Sequence, residues 1–192
     1  MRLVEDLSFP RNSPTPSLNS LADVSSLSLD WGGFTEATAL VVTANPGALR
    51  ATIDWKDAFC NCAVRRDELW LGCICWKGQV YVDNSLKFGG SACPFSFELV
   101  ATAFVSLCHL YQLGTMIHWV DDILSRCEPT NSTPPYSYPF PLEQICQLGA
   151  DLGGSFPPEK VSPYSSVSKY FGFLWFWDSK RVGIPNDRHQ EK

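Results

Sequence analysis

At 192 residues, with 45% hydrophobic and 13% aromatic side chains, the chain has enough apolar surface to bury a sizeable core and reads as one globular domain. A formal charge of −5 excludes a broadly basic surface that holds nucleic acid by neutralising phosphates. Any nucleic-acid site must be local, or completed by further sequence.

The opening "MRLVEDLSFPRN" lacks the apolar run of about 7 to 15 residues that marks a secretory signal, so an intracellular protein is expected, in cytoplasm or nucleus. Residues 10–20 and 129–141 are rich in Pro and Ser and are predicted loops. Between them, "ALRATIDW" and "ELWLGCICW" have the apolar, β-branched and aromatic content of strands. "GQVYVDNSLKF" adds a third extended piece after a Lys77-Gly78 turn. After Pro94, "FSFELVATAFVSLCHLYQL" has the length and apolar face of a core helix that stops at Gly114. This apolar stretch approaches membrane-span length, but His109 and Gln112 interrupt it and Asp121 and Asp122 follow closely. A buried helix is expected, and no membrane partner.

Two β-like runs come next, "TMIHWV" and "ILSRC", joined at Asp121-Asp122; they predict a hairpin with carboxylates at its tip. "PLEQICQLGADLGG" reads as an amphipathic helix with a Gly-Gly stop, and "SKYFGFLWFWDS" as a final strand. From Ile53 onward the order approximates βαββαβ with an inserted hairpin. That is an α+β, split βαβ arrangement: an antiparallel sheet with two helices on one face. The eight cysteines include two C-x-C pairs, Cys60/Cys62 and Cys73/Cys75. Alternate residues of a strand share a face, so buried reduced thiols are expected. A zinc site built on the pairs is the competing reading, although neither has the C-x2-C spacing of common zinc sites.

The Asp121-Asp122 pair has two readings. It is either a solvated polar tip or half of a metal site. Hard divalent cations require oxygen ligands, and a phosphoryl-transfer site draws carboxylates from more than one element. Asp54, at the end of the strand "ATID", is the candidate second source, provided its strand lies beside the hairpin.

These same residues carry a family resemblance. "IDWKDAF" resembles the first palm motif of reverse transcriptases, D-x-x-x-A-[FY]. "LKFGGSACPFSF" resembles the second, L-P-[FQ]-G-x-x-x-[AS]-P-x-x-F, and "HWVDDIL" the third, x-x-D-D. Their order and spacing match as well. The opening residues resemble the fingers segment R-x-V-x-D-L-S-x-P followed by S-[VL]-N. "LGADLGGSFPPEKV" and "KYFGFLWFWDSKRVGIP" are similar to the closing palm motifs. Within the family the chain looks most like retrotransposons of the DIRS-like, tyrosine-recombinase class, of fungal type.

The resemblance implies a reverse-transcriptase domain fragment: partial fingers over about residues 1–50 and palm over about 51–192, with the Pro-rich loop 129–141 in it. It implies RNA-directed DNA synthesis with two Mg2+ or Mn2+ ions. The partners would be an RNA or DNA template with its primer, and deoxynucleoside triphosphates. Asp54 and Asp121 would be the principal metal ligands, with Asp122 alongside. Lys160 would protonate the leaving group, and Arg2 would contact the triphosphate. Phe59 would lie beneath the sugar 2′ position, and Phe88 and Gly89 would meet nucleotide and template. Pro94 also matches the second motif.

Three residues depart from the pattern: Lys87 where proline is usual, Cys60 where arginine is frequent, and Trp119 where tyrosine or leucine is usual. No thumb, RNase H or integrating domain is recognisable. A catalytically dead remnant, or a domesticated interaction module that retains the palm fold, is the alternative. Oligomeric state is not legible.

Overall fold

A computed structural model describes residues 5–185. The chain forms two compact units, interleaved along the sequence: residues 5–30 with 57–100, and residues 31–56 with 101–185. Each is described by itself.

The second unit is built on a four-stranded antiparallel sheet. Its strands are β1 (Leu49–Asp54), β4 (Thr115–Trp119), β5 (Asp122–Cys127) and β6 (Val161–Ser165), in the order β4-β5-β1-β6. This is the split βαβ order expected from the sequence. β1 sits at the centre, and the connections run through the helices α3 (Cys93–Leu110) and α4 (Leu142–Asp151). Residues 101–110 of α3 belong to this unit. They bury Ala101, Phe104, Val105 and Cys108, which is the apolar face the sequence predicts. By length and composition α3 could cross a membrane.

Alternation along the strands divides their side chains between two faces. Ala51, Ile53, Ile123, Ser125, Met116 and His118 are buried on one. The Nε2 of His118 lies 3.4 Å from Thr102 Oγ1 of α3, so this is the helix-covered face. The other face carries Arg50, Thr52, Asp54, Asp122, Leu124 and Trp119. Leu124 joins a core made by α2 (Phe34–Thr43) through Ala37, Leu40 and Val41, and by Tyr170, Trp175 and Trp177. Trp119 packs edge-on against Trp31 and Phe171, at centroid distances of 4.7 and 4.5 Å. A sheet covered on both faces holds its strand ends in fixed relative positions.

Several expectations are corrected here. The final strand predicted over 168–179 is a hairpin, β7 (Val167–Tyr170) and β8 (Phe173–Phe176), followed by β9 (Arg181–Gly183). Phe171 and Gly172 take φ values of 50° and 75°, a reversal that the run of aromatics concealed. β6, α1 (Leu18–Leu21) and α2 had no sequence assignment. α1 also falls partly inside the predicted loop 10–20. Arg50 is buried completely, its guanidinium 4.8 Å from the Trp177 ring centroid. Burial pushes it down to about 9, against the opposing charge of Asp178.

The first unit holds a two-stranded hairpin, β2 (Cys73–Trp76) and β3 (Gln79–Val82), with Cys73 opposite Val82 and Trp76 opposite Gln79. The single strand predicted over 68–76 begins instead as a 3-10 helix, Arg66–Gly72. The expectation of buried cysteines also fails in part. Cys60, Cys73 and Cys75 are exposed, while Cys108 and Cys127 are buried and all eight are free thiols. A two-stranded ribbon has no second layer of its own. Trp76 and Val80 accordingly remain 60% and 68% exposed despite their apolar character.

Candidate active site: the carboxylate end of the central sheet

β1 and β5 pair antiparallel with Asp54 directly opposite Asp122. Residues paired in this way lie on the same face, so the register of two strands brings together carboxylates far apart in sequence. The ladder continues past the strand end, where the Trp55 N–H donates to the Asp121 carbonyl at 2.9 Å. β4 and β5 are joined by the two-residue turn Val120-Asp121, since Trp119 pairs with Asp122. Asp121 thus occupies the tip expected from the sequence, and Asp122 the first strand position. Val120 adopts φ 53°, a left-handed conformation that a β-branched residue rarely takes. The tightly packed hairpin body imposes it at the tip.

Lys160 enters from the other side of β1. It ends a 3-10 turn, Pro158–Lys160, immediately before β6, whose Val161 pairs with Ile53. Its ammonium therefore sits beside Asp54, and Nζ donates to Asp54 Oδ2. A cleft of ≈ 390 Å³ opens here, lined by Thr52, Asp54, Asp122, Lys160, Lys169 and Phe171 among others.

The electrostatics follow from three carboxylates and one close ammonium. Crowding by protein, followed by the charges of Asp121 and Asp54, pushes Asp122 up to about 6, against the opposing pull of Lys160. The residue still meets solvent at the cleft mouth, which screens these charges. The hydrogen bond to Asp54 raises Lys160, and the charges of Asp121 and Asp122 add to it.

Among the described residues no three His, Cys, Asp or Glu side chains are gathered tightly enough to hold an ion. The donor chemistry nevertheless fits a hard divalent cation. All three acidic groups offer only oxygen, they repel one another, and the ammonium on Asp54 stands where added positive charge is favoured.

The remaining predicted site residues lie in the first unit. Phe59 is in a 3-10 turn, Ala58–Asn61, launched by Asp57 at φ 51°. Its ring is edge-on to Phe88 and Phe97, at 6.2 and 5.8 Å. Gly89 follows Phe88 at φ 100°. Arg2 lies outside the described residues. Lys169 and Tyr170 line the carboxylate cleft without having been singled out as site residues. Their position in "KYFGF" was the available signal, hidden by reading that segment as one strand.

With this geometry in place, comparison with solved structures decides the fold. A foamy viral protease-reverse transcriptase in complex with an RNA/DNA hybrid superposes with a TM-score of 0.58 at 18% identity, over 79% of this chain and 20% of that one. A second form of that enzyme, in complex with double-stranded DNA, gives 0.58 at 16% identity over 80% and 26%. The native prototype foamy virus enzyme gives 0.51 at 15% over 88% and 20%. The fold is that of a reverse-transcriptase palm. At these identities the likeness is one of fold, and the chain spans about a fifth to a quarter of the length of those proteins. No family model matches the chain, and no match among curated proteins was found. Within the palm, β1 and the β4–β5 hairpin carry Asp54, Asp121 and Asp122, and the turn before β6 carries Lys160.

Proposed function

We propose that the chain is the palm, with part of the fingers, of an RNA-directed DNA polymerase from a retroelement of the DIRS-like, fungal-type class, acting inside the cell. In domain terms, residues 1–50 are assigned to the fingers and 51–192 to the palm. The observation that carries this reading is the β1–β5 register, which sets Asp54 opposite Asp122 and next to Asp121 at one sheet end. The foamy viral structures in complex with RNA/DNA hybrid and double-stranded DNA support template and primer as partners.

In this reading Asp54 and Asp121 hold two Mg2+ or Mn2+ ions, with Asp122 alongside. When bound, the ions supply charge neutralisation at the triphosphate and activation of the primer 3′ hydroxyl. Lys160, poised on Asp54, turns its ammonium to the departing pyrophosphate and gives it a proton. Phe59 excludes a ribose 2′ hydroxyl by overlap, Phe88 and Gly89 meet nucleotide and template, and Arg2 meets the triphosphate. An acidic chain offers few phosphate contacts, so binding of a primer-template should be weak and fall steeply with salt.

The test is calorimetric titration of Mn2+ with and without a deoxynucleoside triphosphate, followed by primer extension on an RNA template. The expected result is metal uptake that strengthens with nucleotide and disappears in Asp54→Asn and Asp121→Asn. A parent chain that folds and takes up neither metal nor nucleotide would leave the dead remnant or interaction module as the function.

A further inference from the structure

Residues 5–19 run as a strap against the loop Phe88–Ser91, and two side chains fasten them. Asn19 grips the loop twice: its Nδ2 donates to the Gly89 carbonyl at 2.9 Å, and its Oδ1 accepts the Ser91 N–H at 2.8 Å. The same Nδ2 donates to Ser8 Oγ at 2.9 Å, and the Asn19 N–H donates to the Leu7 carbonyl at 3.0 Å. Both amide protons and the amide oxygen are thus engaged.

Lys87, one residue before the loop, is the second fastening. Its Nζ donates to Glu5 Oε1 at 2.7 Å, to the Gly72 carbonyl at 3.2 Å and to Asp83 Oδ2 at 3.4 Å. Three acceptors meet the three protons of an ammonium, and the side chain is only 10% exposed. The groove it crosses requires a glycine. A Cβ at Gly72 would stand 2.9 Å from Lys87 Cε and 2.8 Å from the Asp83 carbonyl oxygen. On the loop itself, Gly89 takes φ +100°, and a Cβ there would be 3.1 Å from the Glu5 carbonyl, so the strap lies directly on it. Burial opposes the ionised form of Asp83, but Ser85 and Lys87 hold it below its ordinary value.

Proline at position 87 would stiffen the loop by fixing φ. A lysine arriving there by decay would find no prepared surroundings. This lysine has two carboxylates, a carbonyl and a glycine groove.

We propose that the strap 5–19 is a clamp that sets the Phe88–Ser91 loop, with Asn19 and Lys87 as its positioning residues and Lys87 replacing the stiffness of proline. The consequence for substrate rests on the polymerase reading, in which Phe88 and Gly89 meet nucleotide and template.

Hydrogen exchange tests the clamp without reference to activity. In Asn19→Ala and in Lys87→Met, the Ser91 amide and its neighbours should exchange at least about tenfold faster than in the parent, while β1 and β5 amides keep their rates. Unchanged loop exchange in both variants overturns the clamp. If Asn19→Ala does not fold, Lys87→Met carries the measurement. Kinetics test the consequence. Both variants should raise the KM for deoxynucleotide about five- to tenfold with kcat within about twofold. Faster loop exchange with an unchanged KM overturns the positioning role. A parent that takes up no nucleotide sinks the polymerase reading instead, and the exchange result then decides the clamp by itself.

Discussion

Lys160 and Lys87 make the same chemical contact in opposite surroundings. Lys160 meets Asp54 at the mouth of a cleft, with 42% of its side chain and 32% of its partner's in solvent. Lys87 meets Glu5 and Asp83 inside the first unit, with only a tenth of its side chain exposed. An exposed ammonium leaves its partner and returns at little cost, whereas a buried one has no water to replace the acceptors it gives up, even though Glu5 and Asp83 keep 22% and 39% of their side chains in solvent. The first arrangement suits a group that must change partners during a reaction. The second suits a group that must never move.

The largest expected effect breaks the carboxylate side of this contrast. Asp54→Asn should lower primer extension about a thousandfold or more, because loss of a charged oxygen ligand removes several kcal/mol of transition-state stabilisation. The fold should survive, since the residue ends a strand and is only half-buried. Steady-state extension with circular dichroism checks both halves. Full activity in Asp54→Asn, or in Asp121→Asn, would remove them from the site.

A smaller effect is expected at Phe59, whose ring contacts Phe88 and Phe97. In a longer polymerase chain that contains this segment, Phe59→Val should raise ribonucleotide use relative to deoxyribonucleotide about tenfold or more, with metal dependence unchanged. If the ring serves packing alone, the variant loses stability and keeps its sugar preference; for a fully buried ring, Phe→Ala costs about 3–5 kcal/mol.

The two lysines are then compared directly by thermal melting. Lys87→Met should cost about 1–3 kcal/mol, since Glu5, Asp83 and the Gly72 carbonyl all lose a donor. Lys160→Met should lower the melting temperature by only a few degrees, less than Lys87→Met does, because the charges it uncovers at the cleft mouth are screened by solvent, while it slows extension. Equal losses of stability in the two variants would erase the distinction.

How much of this is legible in the sequence depends on what each signal encodes. The first three strands of the split βαβ sheet, α3, α4 and the β4–β5 hairpin follow from periodicity and turn chemistry, which are local, but the strand that closes the sheet is β6 and not the run 168–179. The approach of Asp54 to the hairpin is not local. Motif spacing led to Asp121 as its partner, whereas the register sets Asp122, the next residue, directly opposite Asp54. β2–β3 misled because "CICW" and "QVYV" have the composition of buried strands, while burial is decided by whether a second layer exists. Arg50 gave no sequence signal, because its stacking on Trp177 depends on the chain's return from β8. Lys87 read as a departure from a motif. Its partners Glu5 and Asp83 come from segments that periodicity does not link to it.

The smallest expected effect concerns what the carboxylate cluster costs the fold. Asp122 is raised to about 6 in the folded chain from an ordinary 3.8, so between those values the folded state binds more protons than the unfolded one. Stability must therefore fall as pH rises through that window: the penalty is absent below about 4 and complete above about 6. In chelator-treated protein, melting temperature should decline from pH 4 to pH 6.5, and Asp122→Asn should flatten the decline. The variant should also melt slightly higher than the parent at pH 7, because it removes one of three mutually repelling charges. Solvent at the cleft mouth keeps the change to a few degrees. A parent whose melting temperature rises through this window, or an Asp122→Asn variant that melts lower at pH 7, would mean that Asp122 ionises without strain and that Lys160 already neutralises the cluster.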